Sequence, residues 1–114
     1  MTDADAETRI RVARERTEAR VRELTALFDA VVASSEAANL DDEHDPEGST
    51  VGFERAQLAA MLDGTRARLD DLDRAAERIR LGTYGRCDRC GDPIPAARLE
   101  AQPSTRTCVA CAAR

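Results

Sequence analysis

The stretch that decides the fold runs from Gly82 to Cys111 and reads GTYGRCDRCGDPIPAARLEAQPSTRTCVAC. It contains all four cysteines of the chain, in two Cys-x-x-Cys pairs with 17 residues between Cys90 and Cys108. This spacing is typical of a zinc site, in which four thiolates surround the ion as a tetrahedron. We therefore predict that one structural Zn²⁺ ion is bound by Cys87, Cys90, Cys108 and Cys111.

Four thiolates leave the metal no open position for water or substrate, so the site is expected to be structural. The alternative is a pair of redox-active Cys-x-x-Cys motifs, which accompany βαβ patterns that this sequence lacks. Prolines interrupt the short segments between the pairs and argue against an apolar core there. The metal should thus supply most of the folding free energy of this module. We also find no nucleophile–base pair or phosphate loop, so the chain is predicted not to be an enzyme.

Upstream of this stretch, the sequence predicts two long amphipathic helices. Residues 3–38 contain no Gly or Pro. Apolar or small residues recur there every three or four positions, as a helix requires; they are Ile10, Ala13, Thr17, Val21, Leu24, Phe28, Val31 and Ser35. A second stripe has strict 4-3 spacing and consists of Leu58, Leu62, Thr65, Leu69, Leu72, Ala76 and Ile79. Gly82 follows it as a helix stop signal.

Neither helix can bury its stripe alone, so the two are expected to pair with each other. The predicted fold class is all-α, with a long antiparallel coiled-coil helical hairpin over residues 1–81 and a small C-terminal four-cysteine zinc finger over residues 82–114. At 1.5 Å per residue, helices of about 30 to 35 residues give an arm of about 45–50 Å. We expect a monomer, although the stripes are also compatible with a bundle of several chains.

The negative charge of the chain comes from one segment. All 17 basic residues are Arg, against 22 acidic residues, for a net charge of −5. Residues 39–50 carry five acidic residues and no Arg, and they include the turn formers Pro46 and Gly48. We predict that this segment is the acidic tip of the hairpin and that Ser49 or Thr50 caps the second helix. The acidic total argues against a protein that coats nucleic acid.

The N-terminal residues are acidic and lack the basic and apolar regions of a secretory signal. No run of apolar residues is long enough to cross a membrane. We therefore expect a cytoplasmic protein with no membrane partner. Thiols stay reduced in that compartment, which favours metal ligation over disulfides.

Three motifs in the C-terminal stretch are specific enough to identify a family. They are Gly82-Thr83-Tyr84-Gly85-x-Cys87-x-x-Cys90-Gly91-x-x-Ile94, Arg98-Leu99-Glu100-Ala101-x-Pro103 and Cys108-x-x-Cys111. They resemble the DksA/TraR family of C4-type zinc-finger transcription regulators. The predicted hairpin with an acidic tip matches that family in architecture.

The resemblance implies a regulator that binds RNA polymerase, with no direct sequence-specific DNA binding. In that family the coiled coil enters the secondary channel of the polymerase, and its acidic tip approaches the active centre. The family tip commonly reads D-x-x-D-x-A, and this chain has Asp42-x-x-Asp45-x-Glu47, with Glu in place of the Ala. Counting back from the finger without gaps instead puts His44 and Glu47 nearest those positions. The resemblance therefore implies that Asp42, Asp45 and Glu47 are the partner-binding residues of the tip.

Longer members of the family respond to guanosine tetraphosphate through basic residues. These would fall near Gln102 and Ala112, neither of which is basic, so the resemblance does not carry that response over to this chain. The alternative function is a zinc-ribbon adaptor for nucleic acid or protein whose helices dimerise.

Overall fold

A computed structural model of the chain describes residues 3–41 and 47–114. Two long helices precede two short ones, namely α1 (Asp3–Asp41), α2 (Glu47–Leu81), α3 (Ala96–Ala101) and α4 (Val109–Ala112). The predicted all-α fold, a helical hairpin followed by a four-cysteine cluster, is confirmed. None of the helices in the described ranges combines the length and apolar character that a transmembrane span needs.

The chain divides into two compact units, and both long helices contribute to each. One unit consists of Met1–Arg16 with Arg68–Arg114, and the other of Thr17–Ala67. In the first unit, the start of α1 packs against the end of α2 in a cluster of Ala6, Ile10, Leu72, Ala75 and Ile79. This order of contacts is the antiparallel one. The second unit has its own buried leucines, Leu24 and Leu62.

The apolar stripe predicted for α1 is confirmed, since all eight of its residues are buried or half-buried. In α2 one position differs from the prediction. Ala76 is exposed, and Ala75 is fully buried in its place. Ala75 lies three residues after Leu72 and four before Ile79, so it continues the same helical face. The strict 4-3 spacing thus selected the wrong member of an adjacent alanine pair.

The long helices extend further into the acidic segment than the sequence predicts. α1 continues from Ala38 to Asp41, and α2 begins at Glu47, ahead of both predicted cap residues. An acidic residue in the first turn interacts favourably with the helix dipole, which favours a start at Glu47. The penalty for Gly48 in a helix is only about 1 kcal/mol. The predicted twelve-residue turn is therefore too long.

The C-terminal end of α2 is where the sequence predicts it. Gly82 has φ +78°, a conformation that glycine adopts without the steric cost that other residues meet. The Gly82 N–H donates to the carbonyl of Ile79 at 3.1 Å, and the Thr83 N–H donates to the carbonyl of Arg78 at 2.9 Å. These two bonds are those of the Schellman motif. The motif ends α2 directly before the cysteine-containing segment.

Candidate metal centre

The first cysteine pair lies in a tight turn held by backbone hydrogen bonds. The Cys87 N–H donates to the carbonyl of Asp92 at 2.8 Å, and the Ile94 N–H donates to that of Gly85 at 2.7 Å. The Gly91 N–H closes the turn on the Cys87 carbonyl at 2.9 Å. Gly91 has φ +77°, a conformation that glycine adopts without the steric cost that other residues meet.

The second cysteine pair is placed by the first turn of α4. Cys108 is the residue before the helix, and Cys111 lies within it. The Ala112 N–H donates to the Cys108 carbonyl at 2.9 Å. A backbone bond of 2.8 Å from the Asp88 N–H to the Arg106 carbonyl joins the first pair to the segment that leads into the second.

The four sulfur atoms converge on one point. The Sγ atoms of Cys87, Cys90, Cys108 and Cys111 lie within 4.8 Å of one another, and those of Cys90 and Cys108 are 3.8 Å apart. A tetrahedron with Zn–S bonds of about 2.3 Å has an edge of about 3.8 Å, whereas a disulfide requires about 2.05 Å. All four cysteines are free thiols. The arrangement fits a single tetrahedral metal ion.

The thiols influence one another strongly. The backbone N–H groups of Cys108, Cys90 and Arg89 lower the pKa of Cys87 to about 6. The neighbouring thiols of Cys108 and Cys87 raise the pKa of Cys111 to about 12. Cys87 therefore gives up its proton far more readily than Cys111 does. A divalent cation binds thiolates rather than thiols, which is why metal binding to such a cluster displaces protons.

The expectation that the proline-interrupted segments form no apolar core is wrong, because a small apolar cluster supports the sulfurs. Cys87 and Cys111 are buried with Ile94 and Leu99. Tyr84 packs against this cluster and also against the cluster between α1 and α2. Its hydroxyl donates to the carbonyl of Pro103 at 2.9 Å, and burial raises the pKa of Tyr84. Neither stripe periodicity nor cysteine spacing points to these residues.

Two arginines contact the backbone of the second cysteine pair. Arg98 Nε donates to the carbonyl of Thr107 at 2.9 Å, and Arg89 Nη1 donates to the carbonyl of Cys111 at 3.3 Å. Sequence reasoning assigned neither side chain a role, although Arg98 begins one of the family motifs. The carbonyl acceptors of these bonds belong to the backbone, so the residue types give no sign of the contacts.

Of the three predicted tip residues, the structure describes only one. Asp42 and Asp45 lie outside the described residues, and Glu47 is the first residue of α2. Their role in partner binding stays a prediction.

The cysteine-containing segment matches a known protein family. Residues 82–114 match the family described as the prokaryotic dksA/traR C4-type zinc finger. The predicted family resemblance is thus confirmed on the segment that carries it, and the four cysteines are positioned as a C4-type zinc finger requires.

Two curated relatives illustrate the likeness in sequence. An uncharacterized protein of Aquifex aeolicus is 54% identical over 46 residues, which is 40% of this chain and 32% of the relative. The RNA polymerase-binding transcription factor DksA of Caulobacter vibrioides is 39% identical over 51 residues, 45% of this chain and 36% of that protein. The aligned stretches thus span about a third of each relative.

A solved structure illustrates the likeness in fold. The transcription factor DksA2 from Pseudomonas aeruginosa matches with a TM-score of 0.57 at 22% sequence identity. The match covers 94% of this chain and 82% of the other. It extends the fold likeness well beyond the cysteine-containing segment.

Proposed function

We propose that the chain is a transcription regulator that binds RNA polymerase, related to the prokaryotic DksA/TraR C4-type zinc-finger proteins whose family model matches residues 82–114. The observation that carries the proposal is the match of residues 82–114 to the zinc-finger family, together with the 51-residue likeness of the chain to a protein named for RNA polymerase binding. The proposed regulator acts by binding rather than by catalysis, and it works in the cytoplasm as a monomer.

The fold supports this proposal because the finger and the base of the hairpin share one unit. That unit joins residues 1–16 to residues 68–114. Tyr84 contacts the apolar clusters of both the helices and the finger. A metal centre in this unit would brace the start of α1 against the end of α2. In the proposed mode, the finger supports the hairpin while the hairpin enters the secondary channel.

We further propose that the four converging cysteines bind one zinc ion, which has a purely structural role. When bound, the ion crosslinks the two cysteine pairs and leaves no site for substrate. The chain supplies the rest of the module, through the apolar cluster of Ile94 and Leu99 and the backbone bonds between the pairs. No step of the proposed regulation passes through the metal.

The acidic tip is the proposed effector element, and its charge can be tested directly. We expect that Asp42→Asn, Asp45→Asn and Glu47→Gln together abolish the effect of the protein on promoter-specific transcription in vitro. The reason is that carboxylates near the catalytic Mg²⁺ and basic elements of the polymerase act through their charge. The measurements are transcript yield and open-complex lifetime with purified polymerase, together with binding to core enzyme.

A matched control removes three carboxylates within α2, with Glu54→Gln, Asp63→Asn and Asp70→Asn. These side chains are exposed and form no ion pair among the described residues. The control should behave like the wild type. If the tip variant binds polymerase and still regulates normally, the proposed role of the tip is wrong.

A further inference from the structure

The second cysteine pair has little local structure to hold it. α4, which contains Cys111, has four residues, and a helix of that length has no stability of its own. The segment before it is non-helical from Gln102 to Cys108. Contacts from elsewhere in the module must therefore fix the positions of Cys108 and Cys111.

Arg98 supplies one of these contacts. It lies on α3, is half-buried, and its Nε donates to the carbonyl of Thr107 at 2.9 Å. The hydroxyl of Thr105 donates to the same carbonyl at 3.3 Å. Because Thr107 directly precedes Cys108, these two donors fix the peptide group that leads into the third cysteine.

Arg89 supplies a second contact, which comes from the first cysteine turn. It lies between Cys87 and Cys90 in the first turn, and its Nη1 donates to the carbonyl of Cys111 at 3.3 Å. The bond therefore crosses from the first cysteine pair to the second. Together with Arg98, it holds the second pair at both of its ends.

The charges of these arginines matter as well as their hydrogen bonds. Four thiolates and one divalent zinc ion carry a net charge of −2. Guanidinium groups stay protonated in proteins. Neither Arg89 nor Arg98 forms an ion pair with a carboxylate in the described parts of the chain. Their positive charges are thus available to offset that of the metal centre.

We propose that Arg98 and Arg89 are positioning residues of the zinc centre: they fix the second cysteine pair through backbone carbonyls and offset the negative charge of the tetrathiolate. The proposal rests on the assignment of the four cysteines as zinc ligands. Contacts of this kind around metal sites typically change metal affinity by about 10-fold to 100-fold when removed.

The test compares zinc affinity in Arg98→Gln, Arg89→Gln and the wild-type chain. Affinity is measured by competition with a chromophoric chelator. We expect Arg98→Gln to bind zinc about 10-fold to 100-fold more weakly, and Arg89→Gln to show a smaller loss because its bond is longer. The d–d and charge-transfer absorption bands of the Co²⁺-substituted protein should shift in Arg98→Gln, since these bands report on the tetrahedral geometry of the thiolates.

Arg98→Lys separates position from charge, because it keeps the charge and loses the planar guanidinium. We expect this variant to resemble Arg98→Gln more than the wild type. Arg114→Gln is the control, since it removes an exposed arginine of the same module whose side chain forms no hydrogen bond or ion pair with the described residues. It should match the wild type.

Three results would count against these assignments. Equal zinc affinity and equal Co²⁺ spectra in Arg98→Gln and Arg114→Gln would overturn the proposal. If Arg98→Lys had the zinc affinity and the Co²⁺ spectrum of the wild type, the positioning role would be overturned and only the charge effect would remain. If the wild-type chain itself bound no zinc or Co²⁺, the ligand assignment would be wrong, which is a different failure from that of Arg98.

Discussion

Removal of zinc by a strong chelator should unfold residues 82–114. Structural zinc contributes about 10–16 kcal/mol of apparent binding free energy in zinc-finger peptides at neutral pH. The apolar cluster of the finger buries only Ile94 and Leu99 besides two cysteines. A buried aliphatic side chain contributes about 1.5–3 kcal/mol, so this cluster cannot replace the metal.

Tyr84 makes the unfolding measurable. It is the only tyrosine, and the chain has no tryptophan, so the near-ultraviolet circular dichroism around the tyrosine band reports mainly on the finger. This signal should collapse on chelation, because Tyr84 loses its packing and its bond to the Pro103 carbonyl. Stoichiometric zinc should restore the signal, and magnesium should not.

Cys111→Ser is the genetic counterpart of chelation. The variant should show the chelated spectrum even with zinc present, because one of the four converging ligands is lost. Elemental analysis establishes whether the chelated protein holds any metal. If metal-free protein keeps an unchanged tyrosine signal, zinc does not have the structural role proposed for it.

Leu72→Ala should produce the largest loss of stability among single substitutions in the helices. Leu72 is completely buried between α1 and α2, in contact with the cluster around Ile10 and Ile79. Leucine-to-alanine changes in a packed core cost about 2–5 kcal/mol. Native stabilities of small proteins are about 5–15 kcal/mol, so the variant should lose a large fraction of its stability. Urea unfolding of the zinc-loaded chain, followed by helical circular dichroism, measures the effect.

Leu81→Ala is the matched control, since it makes the same chemical change at a side chain that is 60% exposed. The urea midpoint of Leu81→Ala should shift by only a small fraction of the shift that Leu72→Ala causes. Equal shifts would show that burial in the α1–α2 cluster does not govern the stability of the helices.

The sequence was sufficient for those parts of the structure that follow a repeating pattern. The three-and-four spacing from Ile10 to Ser35 identified the buried face of α1, and the Cys-x-x-Cys spacing identified the converging sulfurs. Gly82 marked the end of α2 because only glycine adopts its conformation easily. In each case the structural feature depends on the types and spacing of nearby residues, which the sequence shows directly.

The features that could not be predicted depend on contacts between distant residues. Ala75 and Ala76 are chemically identical, so only the packing of α1 decides which one is buried. Tyr84 reaches the carbonyl of Pro103, 19 residues away, and Arg98 reaches that of Thr107. Every residue type has a backbone carbonyl, so such acceptors leave no trace in the sequence.

The most direct test of the proposed function is binding of the purified chain to core RNA polymerase, measured by co-sedimentation. The zinc-loaded chain should sediment with the polymerase in a saturable, stoichiometric manner. Binding should weaken after chelation, because the finger that braces the base of the hairpin is then unfolded. If the chain fails to bind core polymerase both with zinc and after chelation, the chain is not an RNA polymerase-binding regulator.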